Sequence, residues 1–185
     1  MKKFEKFLLK IEKSNELLKE KYIKASFGYV FYKDYYSLKY QTLALNHDHI
    51  KVIPPSSLNV KIPHSDYIFK HINRKKFNFL RGDDYAEDWA NPLYEISELK
   101  LVENYQNIVI HICDSGAHGY RFSDYDENNE QENLLIEALT TCATKKIKII
   151  GLLFNEFSRN SFIGCQYIYL NNKGYYNIED LNDLK

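Results

Sequence analysis

The chain has 185 residues, and 25 Lys and Arg balance 25 Asp and Glu, so its formal charge is zero. A neutral chain has no global field to steer it onto nucleic acid or an anionic membrane. With 16 Tyr and 11 Phe against 7 Gly and 4 Pro, the composition excludes a disordered or fibrous chain and fits one packed domain.

The elements follow in chain order. Phe4, Phe7, Leu8, Ile11, Leu18 and Tyr22 recur at helical spacing between Lys and Glu, which predicts an amphipathic helix over residues 3–21. Residues 25–32 are apolar on both faces and read as a covered strand. Residues 40–45 read as a shorter strand, and residues 46–63, with Pro54, Pro55 and Pro63, as a long connection. A weak helical pattern covers residues 65–73, and residues 77–88 form a loop ending in acids. In the helix that follows, Trp89, Leu93, Ile96 and Leu99 point to the core; Asn91 is the expected N-cap and Pro92 the first helical residue.

The strand at residues 107–114 is the most informative stretch: an unbroken apolar run ends at Asp114, and the small-residue loop Ser115-Gly116-Ala117-His118-Gly119 follows. A buried parallel strand delivers a carboxylate to the C-terminal edge of a sheet in this way, and ligands of open α/β sheets bind at that edge. After an acidic loop, a helix is expected over residues 132–144 with Leu134, Leu135, Ala138, Leu139 and Cys142 inward. A strand over 147–154, a short helix capped by Ser161 and a last strand over 175–178 complete the chain. Alternation of this kind predicts a mostly parallel sheet with helices on both faces.

Four patches, taken in order, resemble the von Willebrand factor A domain in its intracellular, alpha-kinase-associated and protist form. Residues Phe27 to Asp34 resemble its second strand, and Gly82 to Trp89 its glycine-rich loop ending in glutamate-aspartate. Ile110 to Gly119 resemble its fourth strand and the loop after it; Ile149 to Gly151, then Ser161 to Cys165, resemble the fifth strand and following helix. The resemblance covers about residues 3–180 and implies a single domain over residues 1–185 with a three-layer, doubly wound, Rossmann-like α/β fold. It also implies non-enzymatic binding of a protein partner.

The same resemblance exposes a gap. The family holds Mg²⁺ or Mn²⁺ with an Asp-x-Ser-x-Ser motif after its first strand, a Thr and a later Asp. The first strand and its motif are not in this sequence, and Leu80 stands where the Thr is expected. Asp114 is the remaining metal-ligating candidate, so the adhesion site is expected to be degenerate and no cofactor is expected. Without its central first strand the sheet needs direct pairing of the second and fourth strands, a strand from another chain, or is a truncated paralogue without function. The residues expected to meet a partner are Asp34, Asp83, Asp84, Asp114 and His118.

The competing class is a metal-dependent hydrolase built on His111, Asp114 and His118; residues three apart on a strand point to opposite sides, which favours His111 as a core residue. His47 and His49 share one side of an extended segment but lack a third ligand nearby. Cys113, Cys142 and Cys165 have neither zinc nor disulfide spacing, which suggests a reducing compartment. No signal-peptide core is present, and no stretch reaches the roughly 18 apolar residues of a membrane span. The expectation is a cytoplasmic protein with a protein partner and with neither nucleic acid nor membrane.

Overall fold

The computed structural model describes residues 26–32, 50–57, 86–99, 101, 106–122 and 128–180. The elements expected over residues 3–21, 40–45 and 65–73 lie outside these, as do Asp34, Asp83 and Asp84. In order, the described elements are β1 (Ser26–Tyr32), β2 (Ile50–Ser57), β3 (Ala86–Glu87), α1 (Ala90–Glu98), β4 (Ile108–Cys113), β5 (Gly116–Ala117), α2 (Asn129–Thr144), β6 (Lys148–Leu153), a 3₁₀ turn (Glu156–Ser158), α3 (Arg159–Asn171) and β7 (Tyr175–Asp180).

The chain divides into two compact units, residues 1–29 with 52–80, and residues 30–51 with 81–185. β1 and β2 pair with each other in a two-stranded ribbon. β2 corrects an expectation, because it falls within the stretch read as a connection. Pro54 and Pro55 lie inside it. Proline cannot donate to a ladder but its fixed φ suits an extended chain, so it is tolerated in a strand paired on one side, as β2 is among the described residues.

The larger unit is built on a parallel sheet of order β4-β6-β7. Ile108 pairs with Lys148 through to Cys113 with Leu153, and Lys148 pairs with Tyr175 through to Leu153 with Asp180. The fold is therefore α/β with a parallel sheet, as the alternation predicts. β4, β6 and β7 follow one another across the sheet, so right-handed crossovers put α2 and α3 on the same face. The packing agrees: Val109, Cys113, Ile149, Leu153, Tyr176 and Ile178 point from that face into one core with Leu93, Leu135, Leu139 and Phe162. The alternate residues Ile108, Ile110 and Tyr175 are exposed.

Each helix is started and stopped by identifiable groups. Asp88, not Asn91, caps α1: its carboxylate accepts the Asn91 backbone N–H at 3.0 Å and the Asn91 side-chain amide at 2.8 Å. Pro92 then lies in the first turn, where a missing N–H costs no intrahelical bond. α2 begins at Asn129, earlier than expected, because the Asn128 carbonyl oxygen Oδ1 accepts the Gln131 N–H at 3.2 Å. Glu130 and Glu132 in its first turn complement the helix dipole. At its far end the Lys145 ammonium donates to the Ser97 carbonyl and ties α2 to α1.

α3 starts two residues before its expected cap, directly after the 3₁₀ turn. Its Phe162 ring lies against Gly151, where a Cβ would come within 2.5 Å of the ring. That glycine lets the helix settle on β6. The Tyr169 ring is buried, and its hydroxyl donates to the Ile147 carbonyl at 2.6 Å, joining the end of α3 to the start of β6. Cys113, Cys142 and Cys165 are free and buried. Burial pushes the Cys142 thiol up to about 12 and raises Cys165 further, so both remain protonated small apolar groups. Among the described residues, no helix is long and apolar enough to cross a membrane.

Candidate functional site at the carboxyl edge of the sheet

β4 and β6 are parallel, so they end on the same edge. β4 hands Asp114 to that edge with its side chain exposed. Just past the end of β6 stands Asn155, whose amide group bridges the two loops. Its Nδ2 donates to the Asp114 carbonyl at 2.7 Å, and its Oδ1 accepts the Phe157 N–H at 3.0 Å. One side chain thus fixes the backbone at Asp114 and holds the turn that presents Phe157, which is 82% exposed.

A second clasp comes from β3 and β5. Ala86 pairs with Gly116 and Glu87 with Ala117 in a parallel register, which sets the start of α1 beside the loop after β4. Asp88 is buried directly after β3 and serves α1 as its cap. The third clasp is Ser161 in the first turn of α3. Its hydroxyl accepts the Ala117 N–H at 2.9 Å and donates to the Phe122 carbonyl at 2.5 Å. Ser161 therefore holds the loop after β4 and does not cap its own helix, which corrects the sequence expectation.

The loop then closes on α2. Gly119 has φ +107°, and a Cβ there would lie 2.5 Å from the Glu132 Cβ. Both the left-handed region and the close approach require glycine. Glu132 accepts the Arg121 N–H at 3.0 Å and pairs with the Arg121 Nε at 3.1 Å. The Phe122 ring is buried and anchors the end of the loop. Residues 114–122 are thus held at Asp114, Ala117, Arg121 and Phe122 by Asn155, β3, α2 and α3, which leaves Asp114, Tyr120 and Arg121 exposed on a fixed backbone.

The residues singled out from the sequence fare differently. Asp114 stands at the edge as expected. His118 is buried, so it supports the loop from within and is not presented to a partner. His111 is on the helix side of β4, with its ring centroid 4.4 Å from Trp89 and 5.3 Å from Phe162. Burial lowers its pKa from the ordinary 6.5 to about 3, so it is neutral at physiological pH. His111, Asp114 and His118 do not converge as a ligand set, since among the described residues no three His, Cys, Asp or Glu could hold a metal ion. A hard divalent cation takes about six oxygen ligands, and Asp114 alone among the described residues does not supply them.

Three contributors were not legible from spacing: Asp88 as the cap of α1, Asn155 as the bridge, and Phe157 as the exposed aromatic. Asn155 carries a usable signal, because Asn at a strand end favours a side-chain-to-backbone turn. No protein-family model matches the chain, and no curated protein matches it.

Proposed function

We propose that the chain is a non-enzymatic protein-interaction module of the von Willebrand factor A type, working in the cytoplasm with a degenerate metal site. One observation carries this reading: exposed Asp114 and Phe157 are fixed by the same asparagine at the ligand-binding edge of a parallel sheet. A prepaid, rigid platform lowers the ordering cost of association. An exposed aromatic such as Phe157 is of a residue type enriched at interfaces. Asp34, Asp83 and Asp84 belong to the same proposed surface through the resemblance. The buried free thiols support a reducing compartment.

The test is affinity capture from cell extract with quantitative mass spectrometry. The full chain is compared with Asp114→Lys, Phe157→Ser and a remote surface control, Lys173→Ala. The expected result is one set of proteins depleted by both edge variants and retained by the control. Capture that is the same for all four proteins refutes the reading. A thermal melt in Mg²⁺, Mn²⁺ and EDTA checks the degenerate site. A native-state ligand at one hundred times its Kd adds about 2.7 kcal/mol, so a melt that rises with metal overturns the metal-free form of the proposal.

A further inference from the structure

A second surface lies on the outward side of α3 and does not depend on the reading of the sheet edge. Ile163, Tyr167 and Leu170 occupy positions i, i+4 and i+7, and are 49%, 70% and 54% exposed. Their neighbours Phe162, Cys165 and Tyr169 face the core. α3 is therefore apolar on both sides. A helix that covers a sheet on one face only needs one apolar stripe, so the outer stripe is surplus to folding. It spans about 10 Å, two helical turns.

Beside this stripe runs a crevice of about 480 Å³ lined by Arg121, Ile163, Gly164, Tyr167 and Ile168. Gly164 makes it. A Cβ there would lie 3.0 Å from the Arg121 carbonyl and 3.0 Å from the Phe122 ring, so only glycine lets residues 121–122 rest directly on α3. The row Gly164–Ile168 consequently lacks a side chain at its first position, next to the full row Ile163–Tyr167. Rows four residues apart are the ridges and grooves by which helices interlock, and the exposed row Ile163–Tyr167 is the ridge that a partner helix would meet.

The rim of the crevice supplies the charge. α3 contains no acidic residue, and its Arg159 is already paired with Glu156 at 2.5 Å and 2.8 Å. Arg121 is 65% exposed at its side chain and spends only its Nε on Glu132, among the described residues. Glu132 orients the guanidinium, and the Nη groups remain as donors in the fork geometry that suits a carboxylate. We infer that this crevice docks an acidic amphipathic helix of a partner protein, with an apolar side chain against Ile163 and Tyr167 and a carboxylate on Arg121. The apolar stripe of α3 then packs along the partner's own i, i+4, i+7 anchors.

The probe is a displayed library of helical peptides with fixed leucines at i, i+4 and i+7 and randomised flanking positions, selected on the full chain. The expected outcome is a pool enriched in Glu or Asp one turn from a leucine. Selected peptides should lose about tenfold or more in affinity on Tyr167→Ser and on Arg121→Gln, and Arg121→Lys should restore only part, because an ammonium lacks the fork. Both positions are exposed, and a melt of each variant shows whether the fold is kept. Tyr167→Ser and Ile163→Ser, away from the Glu132 clasp, carry the test if Arg121→Gln unfolds the loop. The inference is overturned by a selection without binders, by peptides without acid enrichment, or by affinity indifferent to Tyr167. Sedimentation equilibrium showing a dimer that Tyr167→Asp dissolves also overturns it, because the occupant is then a second copy of the chain.

Discussion

Replacing Ser161 by Ala tests whether the loop after β4 is held from α3. Ser161 is fully buried, and its hydroxyl serves two backbone groups, accepting from Ala117 and donating to Phe122. Removing the oxygen leaves a donor and an acceptor without that partner at the same spot. Each buried orphan costs about 1–3 kcal/mol. Because Ala117 also belongs to a two-residue ladder with Glu87, the lower half of the summed range applies, roughly 2–4 kcal/mol. For a chain of this size that lowers Tm by roughly 5–15 °C. The assay is urea and thermal unfolding of Ser161→Ala beside Asn160→Ala, an exposed neighbour on the same helix. The control should change stability by less than about 0.5 kcal/mol. Hydrogen exchange should place the added opening at residues 115–122. A Ser161→Ala protein as stable as the control refutes the clasp, and unchanged protection of those amides refutes its location.

Three further outcomes follow from the packing. Gly151→Ala brings a Cβ to 2.5 Å from the Phe162 ring, so it should cost about 1–3 kcal/mol by overpacking; wild-type stability in denaturant would show that α3 does not sit on β6 as described. Asp88→Ala removes the two hydrogen bonds that start α1 and should cost about 1–2 kcal/mol; circular dichroism and unfolding would show no loss if Asn91 were the cap instead. His111 sets a pH dependence. Its pKa falls from 6.5 unfolded to about 3 folded, so the unfolded chain binds the proton first. This contribution to stability is complete above pH 6.5 and is lost as pH falls toward 3, at up to about 1.4 kcal/mol per pH unit. His111→Phe should flatten the wild-type slope between those limits, and parallel curves for the two proteins would place the histidine in water.

The sequence alone determined the elements that carry their own pattern. β4 was legible because a run apolar except for His111 ends at an aspartate, and α2 because Leu135, Ala138, Leu139 and Cys142 repeat with the helical period. Burial of one side of a regular element imposes a period on its residues, so the period can be read back. That is also why the parallel sheet follows from the order of elements, and why the carboxyl edge and Asp114 are legible in the sequence. Short ladders escaped. β3 and β5 have two residues each and exist only because two loops meet, and β2 hides behind Pro54 and Pro55.

Only the tertiary structure decided what the polar residues do. Asp88 and Asn91 are equivalent caps by propensity, and position chose Asp88. Ser161 has the residue type of a helix cap, yet its oxygen lies between Ala117 and Phe122, which are 44 and 39 residues away. Asn155 holds Asp114 from 41 residues away. His118 and Asp114 share a loop, but one is buried and the other exposed. A hydrogen bond of a few tenths of a nanometre joins residues with no regular separation along the chain, so it leaves no period in the sequence to be read.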